Sequence, residues 1–166
     1  MKHYKAIFFD WDGTAVLSRK APVEDAVNAM RPLLDKGVKL CIVSGTTYEN
    51  IAGGKLHSYF TPKQLENLYL GLGRGAFDYG YNTAGEPTVL VDRVPDAKGI
   101  LAVRDACYRI RRELLEKYGR NTDIVFSRPN YCKIDLMPAN NRGENLFLQE
   151  GEAARLQHIL QQHGID

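Results

Sequence analysis

The sequence predicts an α/β fold in which a parallel sheet is built first and an α+β segment follows. Three observations predict it. Two short apolar runs, Ala6-Ile7-Phe8-Phe9 and Lys39-Leu40-Cys41-Ile42-Val43, read as buried strands. Between them Val23, Ala26, Val27, Met30, Leu33 and Leu34 recur at helical spacing. Each run also ends in a short polar motif, and a strand-helix-strand crossover delivers both motifs to the same sheet edge, where ligands collect in open α/β sheets.

The first run leads into Asp10-Trp11-Asp12-Gly13-Thr14. Two carboxylates so close together repel unless a cation or a shared proton relieves them. Mg²⁺ is the simplest relief: it is commonly held by one or two carboxylates plus substrate phosphate oxygens, and it neutralises phosphoryl charge. Asp10 and Asp12 are therefore the expected metal ligands, and Gly13 allows the backbone to approach a phosphate closely.

The intervening helix is expected over residues 21–35. Pro22 suits its first turn, Gly37 its end, and Pro32 falls inside the pattern where it can kink or shorten the helix. The second run ends in Ser44-Gly45-Thr46. A hydroxyl and backbone N–H groups there can hold phosphate oxygens, and Thr46, Thr47 and Glu49 are compatible with a following helix start.

Asp10-Trp11-Asp12-Gly13-Thr14 resembles the first motif of the haloacid dehalogenase-like hydrolase superfamily, and the run ending in Ser44-Gly45-Thr46 resembles its second. The resemblance implies a Rossmann-like parallel core sheet with an inserted α+β cap. It also implies that Asp10 is a nucleophile forming an aspartyl-phosphate, that Asp12 protonates the leaving group and then activates water, and that Ser44 binds phosphate beside Gly45 and Gly13. A covalent intermediate splits one hard displacement into two steps, and general acid-base help is worth about 10² to 10⁴ in rate. Dehalogenase members lack an acid at the position of Asp12, so phosphoryl chemistry fits better than carbon-halogen cleavage.

Composition agrees with a soluble enzyme: 25% charged and 44% hydrophobic residues and a formal net charge of +2 give no strong push toward nucleic acid or membrane. With no bilayer-spanning apolar stretch and no signal-peptide pattern, a cytoplasmic location is the default expectation. Cys41, Cys107 and Cys132 are odd in number, lack metal-ligand spacing and are expected to be buried free thiols.

Residues 1–74 are expected to form the N-terminal part of the core and residues 75–166 the cap. Thr61-Pro62-Lys63-Gln64-Leu65 signals a helix start and Leu68 to Leu72 another strand. Residues 76–79 and 88–92 flank the turn-rich Asn82 to Pro87 and read as a hairpin. Ile100, Val103, Cys107, Ile110, Leu114 and Tyr118 form a helical stripe ending at Gly119. Its neighbours Arg104, Arg109, Arg111 and Arg112 are interleaved with acids and read as a solvated face.

Strands at residues 123–127 and 131–137 and a helix over about residues 152–163, with Ala153, Leu156, Ile159 and Leu160 on one face, complete the reading. Alternation places Ile124, Phe126, Cys132, Ile134 and Leu136 toward a helix. It places Tyr131, Lys133 and Asp135 on the opposite face as candidate substrate contacts, with Ser127 or Arg128 beside them.

The resemblance also implies a third-motif Lys and a fourth acidic motif, and neither is found; Lys133 and Asp135 are poor matches. The expectation is an N-terminal part of a longer enzyme, with weak or no activity from these residues alone, because charge stabilisation is often the largest catalytic term. The expected function is Mg²⁺-dependent hydrolysis of a small phosphomonoester, a sugar phosphate by preference. The alternatives are a phosphomutase-type transferase and a non-catalytic binding or regulatory remnant. The expected partners are a small phosphorylated substrate and either self-association or a separate chain supplying the remaining core, with no nucleic acid and no membrane.

Overall fold

Three parallel strands carry the N-terminal half in the computed structural model, which describes residues 4–128, 130–135, 158, 161 and 162. The chain divides into two compact units, Met1–Val94 and Pro95–Asp166. In the first, β1 (Ala6–Phe9), β2 (Lys39–Val43) and β3 (Leu68–Leu72) pair in parallel, with Phe9 opposite Ile42 and Leu40 opposite Leu68. The hairpin of β4 (Phe77–Tyr81) and β5 (Pro87–Asp92) extends the same sheet antiparallel, giving the order β1-β2-β3-β4-β5. This is the expected α/β architecture with a Rossmann-like parallel core.

The crossover helix α1 spans Glu24–Asp35, starting later than the pattern predicted. Glu24 and Asp25 occupy its first turn, where negative charge interacts favourably with the positive end of the helix dipole. Pro32 lies inside α1 and the helix continues past it. Gly37, at φ 73°, closes the end with its N–H on the Leu34 carbonyl. Val27, Met30 and Leu34 of α1 join Leu40, Ile42, Leu68 and Leu70 in one buried cluster, so one face of the parallel sheet is sealed by the helix.

The other face departs from the expectation of fully buried strands. Phe8 is 70% exposed and Val43 52% exposed, because alternate side chains of β1 and β2 point away from α1. The short helix α2 (Pro62–Leu65) is fixed by a reciprocal capping box: Gln64 N–H donates to Thr61 Oγ1 at 3.3 Å, and Thr61 N–H donates to Gln64 Oε1 at 2.9 Å. Gln64 Nε2 also donates to Asp35 Oδ1 at 2.8 Å, tying α2 to the end of α1.

In the second unit α3 (Ala97–Tyr118) starts at Asp96, whose carboxylate accepts from Gly99 N–H at 2.7 Å. It ends at Gly119 in the left-handed conformation, with Arg120 N–H on the Leu114 carbonyl. Ala106, Cys107, Ile110 and Leu114 are its buried stripe, shorter than predicted since Val103 and Tyr118 are exposed. Arg104, Arg109 and Arg112 are exposed, as expected of a solvated face, whereas Arg111 is half-buried and its Nε donates to Thr122 O at 2.7 Å.

Strands β6 (Asp123–Arg128) and β7 (Tyr131–Asp135) pair antiparallel and contact α3. Of the cysteines only Cys107 is fully buried; Cys41 and Cys132 are half-buried, since each sits on a strand covered from one side. All three are free thiols, and burial, with a hydrogen bond to Cys107, pushes the Cys132 thiol up to about 12. Residues 136–137 of the last predicted strand and most of the predicted helix over 152–163 lie outside the described residues. Among the described residues no helix is long and apolar enough to cross a membrane.

Candidate active site

Asp10 follows β1 directly, and the loop behind it is organised by Trp11. The Trp11 side chain is 1% exposed and sits in the core, so its neighbours Asp10 and Asp12 are left nearer the surface. Trp11 N–H donates to Asp10 Oδ1 at 2.8 Å, fixing that carboxylate. The Trp11 carbonyl accepts from Ala15 and Val16 N–H at 3.0 and 3.1 Å, which folds residues 11–16 into a tight turn. Gly13 takes φ 80° within it and donates to the Val16 carbonyl at 2.7 Å; a side chain there would be strained.

Asp12 Oδ2 accepts from Arg19 Nε at 3.1 Å. Its other oxygen, Oδ1, is buried and has no hydrogen-bond partner among the described residues. An orphaned carboxylate oxygen is costly and calls for a proton, a water or a cation.

At the end of β2, Ser44 N–H donates to the Gly71 carbonyl at 3.0 Å, so the second motif is anchored to β3. Ser44 Oγ accepts from Thr46 N–H at 3.4 Å, and Thr46 is itself buried with its carbonyl taking the Gly73 N–H at 2.7 Å. An α-helix does not follow. Thr47 precedes a 3-10 turn over Tyr48–Asn50, and further 3-10 turns cover Ala52–Gly54 and Leu56–Tyr59. Gly53 and Gly54 at positive φ break the helical path.

Asp10, Ser44 and Gly45 line one open cleft of about 700 Å³ over the exposed face of the sheet. Asp12 and Gly13 adjoin Asp10 along the chain but are not among the cleft-lining residues. Cys41 and Tyr79 also line the cleft, and burial raises both above their ordinary ranges. Tyr131, Lys133 and Asp135 lie on β7 in the second unit, where Lys133 Nζ pairs with Asp135 Oδ2 at 2.8 Å.

One cleft residue escaped the sequence reading. Arg74 lies between Gly73 and Gly75 on the turn after β3 and enters the cleft beside Gly45. The available signal was a charged residue flanked by two glycines at the edge where the other motifs converge.

The carboxylates of Asp10 and Asp12 are hard oxygen donors, and Asp12 Oδ1 is an unsatisfied one. They suit Mg²⁺ held jointly with phosphate oxygens and water better than an all-protein cage. Among the described residues no group of three His, Cys, Asp or Glu side chains is placed to hold a metal.

No family model matches the sequence, and no curated protein matches it. Solved structures do. An IMP-bound mutant of Plasmodium falciparum IMP-nucleotidase aligns with TM-score 0.62 at 15% identity, covering 98% of this chain and 46% of that one. A second structure of that nucleotidase gives TM-score 0.58 at 14% identity, covering 98% and 42%. A haloacid dehalogenase-like hydrolase from Bacteroides thetaiotaomicron gives TM-score 0.48 at 12% identity, covering 98% and 78%. The chain thus spans less than half the length of the nucleotidase it matches. At these identities the likeness is one of architecture, and the chain shares the α/β fold of the nucleotidase.

Proposed function

We propose that this chain carries the phosphoryl-transfer half-site of a Mg²⁺-dependent phosphomonoester hydrolase acting on a small phosphorylated metabolite, a sugar phosphate by preference. The observation that supports this reading most is the convergence of Asp10 and Ser44, from the ends of adjacent parallel strands, on one open cleft.

In this reading an Asp10 carboxylate oxygen attacks phosphorus while the bond from phosphorus to the ester oxygen breaks. Asp12 gives its proton to the departing alkoxide. Asp12 then takes a proton from water as that water attacks the aspartyl-phosphate, releasing inorganic phosphate and restoring Asp10. The Ser44 hydroxyl and the nearby backbone hold the phosphoryl oxygens. Asp10 and Asp12 would hold Mg²⁺, which supplies charge neutralisation at the transferred group.

The fold shared with an IMP-nucleotidase makes a nucleoside monophosphate the second substrate class to test. Incubating the chain with phosphosugars and nucleoside monophosphates, with and without Mg²⁺, separates release of phosphate from isomerised phosphosugar. Slow phosphate release that needs both Mg²⁺ and Asp10 is expected. Isomerised product would move the assignment to a phosphomutase-type transferase, and no reaction or phosphoryl-enzyme with any substrate would move it to a binding module.

A further inference from the structure

We infer that Arg74 is a phosphate-binding residue of the cleft, supplying a guanidinium to the phosphoryl oxygens beside Ser44; this rests on the phosphoryl-transfer reading above.

Placement is the first ground. Arg74 lines the same cleft as Asp10, Ser44 and Gly45, and it is the sole Lys or Arg among the described residues that do so. Its side chain runs along the Gly45 backbone: a Cβ on Gly45 would lie 3.3 Å from Arg74 Cγ and 3.5 Å from its Nε and Cζ. Glycine at position 45 is what lets the arginine lie this close to the second motif. The turn that carries it is fixed to that motif as well, through Gly73 N–H on the Thr46 carbonyl at 2.7 Å.

Backbone strain is the second ground. Arg74 has φ 58°, between Gly73 at φ 65° and Gly75 at φ 84°. A residue with a side chain avoids this left-handed region, and glycine would occupy it without strain. A strained non-glycine residue facing a cleft is the pattern in which stability has been given up for function.

Chemistry is the third. A guanidinium can donate two parallel hydrogen bonds to phosphate oxygens, and it remains charged at any working pH. The cleft otherwise offers a phosphate neutral hydroxyl, thiol and backbone groups, with two carboxylates, Asp10 and Asp78, adding negative charge. Asp78 is neutralised by Arg93 at 2.6 Å. A dianionic phosphoryl group approaching Asp10 therefore needs a cation, and Arg74 is placed to be one.

The test is titration of the full chain with inorganic phosphate at fixed Mg²⁺ and ionic strength, followed by calorimetry or phosphorus NMR. Arg74→Gly should weaken phosphate binding about tenfold or more, the loss expected of a charge-assisted hydrogen bond. Arg74→Lys should weaken it less. Lys63→Ala, which removes equal charge from an exposed position of the same unit outside the cleft lining, should stay within about twofold of the parent chain. Arg74→Gly should also raise the thermal midpoint by relieving the positive φ, so its loss of binding cannot be a folding defect.

Absent phosphate binding by the parent chain, unchanged binding by Arg74→Gly, or an equal loss in Lys63→Ala would each overturn the inference. The reading beneath it is judged separately by phosphorylation of Asp10. Labelled Asp10 with unchanged binding in Arg74→Gly rejects Arg74 alone. Phosphate bound through Arg74 without labelling of Asp10 rejects the phosphoryl-transfer reading alone.

Discussion

Arg19 Nε donates to Asp12 Oδ2 across 3.1 Å and so fixes the orientation of the second carboxylate of the first motif. The pair is solvent-accessible, with the Arg19 side chain 56% exposed and that of Asp12 25% exposed. Exposed ion pairs add little stability, so the Arg19 contact acts on position more than on folding. Arg19→Ala is expected to change unfolding free energy by less than about 1 kcal/mol in a urea melt. Phosphate release from an activated aryl phosphate should slow in the same variant. A variant destabilised by several kcal/mol, or one with unaltered turnover, would contradict this role.

Trp11 joins the core to the chemistry. Its indole is buried while its own N–H and carbonyl hold Asp10 and the turn over residues 11–16. Trp11→Ala should cost about 3–5 kcal/mol, the range for truncating a large buried aromatic. Trp11→Phe should cost less and retain the backbone contacts. Denaturant melts followed by far-ultraviolet circular dichroism measure both. Equal stability of the alanine variant and the parent chain would contradict the anchoring.

Burial, with Tyr48 close by, pushes the Tyr81 phenol well above the ordinary tyrosine range, and burial also raises Tyr48. In the unfolded chain these phenols ionise near pH 10. Below about pH 10 both states hold the proton and the full stability is present. Above it the unfolded chain loses protons that the folded chain keeps, so stability falls as pH rises toward the folded-state values. Urea midpoints between about pH 9 and about pH 11.5 should fall for the parent chain and fall less steeply for Tyr81→Phe. Identical slopes would contradict the assignment.

The elements legible in the sequence were those specified by local periodicity. The α1 stripe of Val27, Met30 and Leu34, the strands at residues 6–9, 39–43 and 68–72, and the hairpin around Asn82 to Pro87 all follow their patterns. The first motif stands out in the sequence because its two carboxylates are one residue apart. What escaped depends on longer-range placement. Nothing near Phe8 distinguishes the covered face of a strand from the open one. The segment after Ser44 has helix-start residues, yet Gly53 and Gly54 turn it into successive 3-10 turns. Arg74 acquires meaning only when β2 and β3 pair and bring Gly45 against it.

Acid-quenched mass spectrometry after incubation with an activated phosphomonoester and Mg²⁺ tests whether Asp10 accepts the phosphoryl group. One added phosphoryl mass is expected on the peptide containing Asp10, lost without Mg²⁺ and absent in Asp10→Asn. Phosphate release that persists in Asp10→Asn, or a label on a different residue, would contradict it.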